Sequence, residues 1–448
     1  MIIIETTTEY KDFLNRSKGY DWIVVPTYCN GDRSAHIDDV SVIYIYVLHL
    51  DEEVMLVCNH TEGLNLTSSI LSDFPTDNKL FVHGKKRFKN FLDRTNLIDI
   101  DMVEYFQRNK SIEDEFDTPA HEFFTRTVNK FANINTIIPI VKHIEKSQAI
   151  TQRFLDVYSS FQYDKAFEKY NELVLDSLYQ IEKNGLYANY DQFTNKFPNN
   201  VLHDNFIYSE YNVYTTTGRP SNRFGGINFA ALNKETGQRT PFVSRFGENG
   251  FMMSFDYDAY HLRLLADLID FQFPNNVSVH EYLGTFYFSK PILTEEEYLE
   301  SKSISFRQLY GGIAKEYLDI PFFSKVHEYT KLLWEQYKDN GFIETPLFGR
   351  KLHHHYFTDM NASKLLNYML QAFETERNMA VIHNILSRIQ SFSSKLILYT
   401  YDSFLFDFDK RDGGEIIHII KQELEQNKKY PTKIEVGPDY SNMITIKR

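Results

Sequence analysis

The chain has little cysteine: two in 448 residues, Cys29 and Cys58, 29 positions apart and in no CxxC pair. That argues against a disulfide framework and a zinc module, and for a reducing compartment. It also lacks any apolar run of about 18 residues, so no spanning helix is expected. The first residues, MIIIETTTEYKDF, turn acidic at once and lack a basic n-region. No secretory signal is therefore expected, and a cytoplasmic location follows. No internal period of about 20–50 residues is present, nor any low-complexity tract. Positive charge is short as well, with a net charge of −13. This is a weak argument against a nucleic-acid partner, because only the field within a cleft matters to a phosphate.

The length leaves room for two to four domains. Residues 1 to about 135 read as mixed α/β, with strands in YDWIVVPTY, SVIYIYVLHL and EVMLVCNH and helices in TSSILSDF and GKKRFKNFLDR. Residues 140–190 read as helical, 191–250 as loop and short strand, and about 275–390 as helical again. GFIETPLFGRKLHHHYF interrupts that helical stretch as a hairpin, and the C-terminal segment is mostly β. Three features are discounted as sites. In HHH (His353–His355) strand alternation lets at most two rings share a metal; GKKR (Gly84–Arg87) can bind phosphate but reads first as a solvated helix face; NHT and NLT match a glycosylation pattern without meaning in a cytosolic chain.

Two aspartates stand out. In GFMMSFDYDAYHLRLLADL, Asp256 ends a strand and Asp258 opens an apolar helix, where a carboxylate caps the free N–H groups. In LILYTYDSFLFDFD the apolar residues alternate and Asp402 falls at the bend. Two strand-borne carboxylates can share two divalent cations for phosphoryl displacement, or they can be a cap and a hairpin residue. Between them, KSISFRQLYGG sets Lys302, Phe306 and Tyr310 at spacings of four, on one helix face. A lysine with two aromatics can hold a nucleotide, or the helix can be simply amphipathic.

In this order the elements resemble the family A (DNA polymerase I-like) DNA polymerases. DYDAYHLRLLA is similar to the palm motif DYSQIELRVLA, KSISFRQLYG to the fingers motif KxxNFGxxYG, and YTYDSF to VHDE. TTTGRPS, GFIETPLFGRK, LNYMLQAFETE and QIEKNGLYANYDQF resemble four further landmarks, over roughly residues 170–410. The resemblance implies an α+β multidomain right-hand fold. Its palm would be 215–270 and 375–448, its fingers 271–374, its connector or reduced thumb 136–214, and its exonuclease-like (RNase H-like) domain 1–135. It further implies that Asp256 and Asp402 bind two Mg²⁺ ions, or Mn²⁺, and that Lys302 holds the triphosphate. Phe306 and Tyr310 would pack on the incoming dNTP, His280 would lie near the phosphates, and Arg219 would touch the primer end. Asn367 and Gln371 would face the primer–template DNA.

The chain also departs from the pattern. Tyr298 replaces an arginine, Arg307 a glycine, and Ser403 the acid beside the second aspartate, with Tyr401 for the usual histidine. His261 stands where a glutamate excludes a ribose 2′-hydroxyl. Asn228 keeps one position of the NLQN stretch while Ala230 and Ala231 do not. Only 24 residues, 191–214, lie where the family has a helical thumb, too few for two helices and a turn. Weak, distributive binding is expected unless a processivity or replisome partner supplies the grip. In the N-terminal unit, Pro26 and Thr27 occupy the place of the nuclease carboxylates; Asp101 and Asp117 alone cannot run two-metal proofreading. The compact, stripped form suggests a phage or other mobile element. The rival readings are a non-catalytic replisome scaffold or DNA-binding protein, and a polymerase of relaxed sugar selection.

Overall fold

The computed structural model describes residues 1–29, 40–108, 134–161, 163–222, 227–274 and 277–446. They form a mixed α+β protein whose chain divides into two compact units, one being Met1–Lys183 and the other Asn184–Asn222 with Ile227–Arg448. No helix among the described residues is long and apolar enough to cross a membrane.

The first unit is built on a six-stranded sheet: β1 (Ile2–Ile4), β2 (Trp22–Tyr28), β3 (Val40–Val47), β4 (Glu52–Val57), β5 (Leu80–Val82) and β6 (Leu97–Asp99), in the order β1-β4-β3-β2-β5-β6. The three strands expected from sequence form the antiparallel centre, while β1, β5 and β6 join in parallel. WIVVPTY is apolar without alternation because both of its faces are covered. Trp22 packs between Phe13 and Phe74, at ring distances of 5.1 and 5.3 Å. Helix α1 (Thr7–Arg16) begins at a Thr6–Glu9 capping box, which satisfies two free backbone donors.

Three helices follow: α2 (Ile100–Arg108), α3 (Ile140–Tyr158) and α4 (Lys165–Asn184). The apolar face of α3 packs on β2 and β3. Of the stretch 136–214 expected as connector or reduced thumb, the described residues up to Lys183 cluster with the first unit and those from Asn184 with the second.

Two local expectations need correction. TSSILSDF forms a 3-10 helix over Ser68–Asp73, and in GKKRFKNFLDR only Lys85–Phe88 is helical. Nor is GKKR a solvated face. Lys85 is 1% exposed and pairs with Asp176 at 3.0 Å, and Lys86 pairs with Glu182.

The second unit centres on an antiparallel sheet of β7 (Gly250–Tyr257), β10 (Lys395–Thr400), β11 (Ser403–Asp409), β12 (Thr432–Gly437) and β13 (Ile444–Thr445), in the order β10-β11-β7-β12-β13. Helix α5 (Tyr260–Leu268) follows β7; then come α6 (Val279–Phe288), α7 (Glu295–Gly311) and α8 (Pro321–Asn340). The expected hairpin is β8 (Phe342–Glu344) with β9 (Lys351–His353), ahead of α9 (Ala362–Arg388) and α10 (Gly413–Glu425). Capping boxes at Ser278–Glu281 and Thr294–Glu297 start α6 and α7. Gly341, at φ 74°, ends α8 so that the chain can turn into β8; a side chain there would strike His354.

Strand β11 is covered on both faces rather than one. Asp407 and Asp409 are buried among its phenylalanines and are held by Ser244 and Arg245, and by Arg411.

Candidate active site

Strand β7 runs between β11 and β12, and its register sets Asp256 opposite Ser403 on one side and Lys433 on the other. Asp402 is the next residue back, in the tight turn joining β10 to β11, and its carbonyl accepts from the Tyr257 amide at 3.2 Å. Both aspartates therefore sit at one end of one ladder. A left-handed residue accompanies each: Ala259, at φ 50°, turns the chain from β7 into α5, and Tyr401, at φ 61°, makes the hairpin turn. Such backbone is costly for bulky residues and persists where the surroundings impose it. Asn378, fully buried on α9, imposes the second turn by donating to the Tyr401 carbonyl at 2.8 Å.

Desolvation disfavours ionisation of both carboxyls. Desolvation by the surrounding protein, then the charges of Glu374 and Asp256, push Asp402 up to about 6. Burial also raises Asp256, against hydrogen bonds from Ser403 and Ser254. The Ser254 hydroxyl donates to Asp256 Oδ2 at 3.1 Å. Ser403 thus supports Asp256 where the resemblance expects another acid.

Two hard oxygen donors, both held back from ionising by desolvation, fit Mg²⁺ or Mn²⁺, which keep several waters and take their remaining ligands from substrate phosphates. No cluster of three or more His, Cys, Asp or Glu side chains suited to a metal occurs among the described residues, the HHH stretch included. Asp258 does not cap α5. Ala259 holds that position, and Asp258 faces Arg263 at 3.5 Å.

Helix α7 carries the second set. Lys302 and Arg307 are exposed and have no hydrogen-bond or ion-pair partner among the described residues. The rings of Phe306 and Tyr310 lie parallel, 6.0 Å apart, and Tyr310 is 44% exposed. His280 is 1% exposed, packed against Phe306 at 5.5 Å, and its Nδ1 has no partner. Burial lowers His280 to about 4, so the ring is neutral at physiological pH.

A connected chain of polar groups links α7 to the sheet. The Tyr310 hydroxyl lies 2.8 Å from His261 Nδ1, and His261 Nε2 faces Glu374 Oε1 at 3.4 Å. Arg219 holds the other Glu374 oxygen through Nη2 at 2.6 Å and Nε at 2.9 Å, with its guanidinium 4.1 Å over the Tyr401 ring. Burial opposes ionisation of Glu374, yet the His261 and Arg219 contacts hold its carboxyl below the usual range. Burial, then the Glu374 charge, pushes Tyr310 up to about 12, so its hydroxyl keeps the proton.

Asn367 donates to the Tyr310 carbonyl at 3.2 Å, and Gln371 accepts from Thr217 at 3.2 Å. Arg219, His261, Tyr310, Asn367 and Gln371 are thereby brought together. Asn228 is not among them; it is exposed and precedes a 3-10 turn without capping it. Glu374 and Asn378 were not singled out from sequence. The only signal was a run of polar residues inside an apolar helix.

No protein-family model matches the chain. Among solved structures similar to it is the POL domain of Pol1 from M. smegmatis, in complex with DNA primer-template and dNTP. The likeness covers 99% of this chain and 100% of that one, with a TM-score of 0.72 at 15% identity. It is a likeness of fold: the chain is built on the architecture of a DNA polymerase domain.

Proposed function

We propose that the protein is a template-directed DNA polymerase that adds dNMPs to a primer 3′-hydroxyl. One observation carries this reading. Two strand-end carboxylates, Asp256 and Asp402, adjoin across a ladder in a polymerase-like fold, and the same unit holds a helix presenting Lys302, Phe306 and Tyr310.

Asp256 and Asp402 would hold two Mg²⁺ ions, or Mn²⁺. When bound, they make the primer hydroxyl more acidic and neutralise the pyrophosphate leaving group. Lys302 and Arg307 attract the triphosphate, since their charges have no partner among the described residues. His280 lies near the phosphates in this reading, buried behind Phe306 as a neutral ring. The parallel rings of Phe306 and Tyr310 take the base and sugar. Arg219, Asn367 and Gln371, with Asn228 further off, serve primer–template DNA.

The first unit is proposed as an exonuclease-like domain without proofreading. Its antiparallel meander, extended by the parallel strands β5 and β6 on one edge and β1 on the other, supports an RNase H-like origin. Asp99 and Asp101 are buried; Asp99 accepts the Lys85 and Met102 amides, and Asp101 faces His83 at 3.3 Å. Asp117 lies outside the described residues. Between Asn189 and Thr215 the chain forms one seven-residue helix, Tyr190–Lys196, and two strands of two residues. This supports a reduced thumb and a need for a processivity partner.

The test is primer extension with Mg²⁺, offering each dNTP singly against each template base. Incorporation that follows the template supports the reading. Primer–template binding without incorporation, in Mg²⁺ and in Mn²⁺, overturns it in favour of a replisome scaffold.

A further inference from the structure

Glu374 sits in the middle of α9 at 1% exposure and divides its two oxygens between two partners. Oε2 takes both Arg219 contacts, leaving Oε1 toward His261 Nε2. His261 Nε2 is buried, makes no hydrogen bond and approaches the carboxylate at 3.4 Å, and a carboxylate so placed favours a proton on that nitrogen. In the neutral ring Nδ1 is then the acceptor, and the Tyr310 hydroxyl donates to it. The position of Tyr310, on the exposed face of α7, is thus fixed from a buried residue on another helix.

The location of this chain gives it a task. Lys302 and Tyr310 are two turns apart on one face of α7, about 12 Å along the axis. That span suits a nucleotide whose phosphates lie at Lys302 and whose base stacks at the aromatic end. The sugar then falls beside the Tyr310 hydroxyl and His261. What fits at the sugar edge depends on how firmly those two groups are held.

We propose that Glu374 is a positioning residue for sugar selection, locking His261 against Tyr310 while Arg219 anchors Glu374 itself. The inference rests on the polymerase reading of the same site. An amide cannot replace the carboxylate. Glutamine keeps one acceptor oxygen for Arg219 but turns an NH2 donor toward His261 Nε2, which disfavours the proton there and with it the Nδ1 acceptor that Tyr310 needs. Removing the lock lets the Tyr310 ring shift, which loosens dNTP binding and admits a 2′-hydroxyl. Chemistry on a bound dNTP is left intact.

The experiment is single-nucleotide insertion of dTTP and UTP by the full chain, comparing wild type with E374Q, H261A, Y310F and E374Q/H261A. E374Q is expected to raise the UTP-to-dTTP efficiency ratio about tenfold, through the dTTP KM and with kcat little changed. H261A and Y310F should relax the ratio by a similar factor. The double variant should be no more relaxed than either single, because the residues act as one chain. Y310F alters only a partly exposed hydroxyl and keeps the test decisive if E374Q does not fold.

A wild-type ratio in E374Q, or multiplied effects in the double variant, overturns the role of Glu374 while the polymerase stands. So does an unchanged ratio in Y310F. A wild type that inserts neither nucleotide overturns the polymerase reading, and this inference with it.

Discussion

The Tyr257 amide donates to the Asp402 carbonyl at 3.2 Å, stitching the end of β7 to the hairpin turn. The backbone that carries the two aspartates of the candidate site is therefore fixed, and Asp402 is held near the charges of Glu374 and Asp256 in the folded state.

D402N is expected to stabilise the protein in chelator. The Asp402 carboxyl titrates near 6 when folded, against an ordinary 3.8. Between those values the folded chain binds more protons than the unfolded one, so stability falls as pH rises through that window. The asparagine variant should melt above wild type at pH 7.5 in EDTA, and the gap should close below about pH 4. Added Mg²⁺ should raise the wild-type Tm more than that of D402N. Scanning calorimetry across pH reads both effects.

K302A separates stability from function. The ammonium is exposed and has no partner among the described residues, so its loss should change stability by no more than about 0.5 kcal/mol. A charge-assisted contact to phosphate is worth about 1.5–3 kcal/mol, so the KM for dNTP should rise about tenfold or more. Steady-state kinetics beside urea unfolding checks the contrast.

Glu376 gives the protein a second pH-dependent term. Its carboxyl is buried, accepting from the Thr345 hydroxyl and the Leu347 amide, and burial raises it to about 7 from 4.5. The folded state again holds the proton longer, so stability declines as pH rises from 4.5 toward 7. The shift corresponds to at most about 3 kcal/mol. E376Q should flatten this part of the Tm–pH curve, as calorimetry on the two proteins will show.

Arg377 is the strongest candidate for a purely structural charge. It is buried, donates to the hydroxyls of Tyr257 and Tyr260 at 3.0 and 2.8 Å and to the Leu424 carbonyl at 3.1 Å, and lies 3.6 Å over the Tyr430 ring. R377K cannot reproduce the planar fork and should cost about 3 kcal/mol in urea unfolding.

Much of this was legible because it is local. Asp256 at a strand end, Asp402 at a hairpin bend, and the Lys302–Phe306–Tyr310 face all follow from period and spacing. The hairpin at Phe342–His353 followed from its flanking helices and central Gly–Arg. What was not legible depends on enclosure. Nothing in the local pattern marks Glu374, Glu376 and Arg377 as buried, yet α9 is covered on all sides there and buries all three. Lys85 misled for the same reason, since its partner Asp176 lies 91 residues away on α4. Asp258 failed as a cap because Ala259 takes the left-handed turn instead. The boundary at Asn184 could not be read from helix propensity, because it is the packing of α3 on β2 and β3 that assigns that helix to the first unit.

The most direct test of the central claim is rapid-quench incorporation of one correct dNMP on a primer–template with Mg²⁺, by wild type, D256N and D402N. Template-dictated incorporation by wild type is expected, with both variants slower by about a thousandfold or more while still binding DNA. Incorporation by either variant within about tenfold of wild type would contradict the assignment of Asp256 and Asp402 as the pair that supports nucleotidyl transfer.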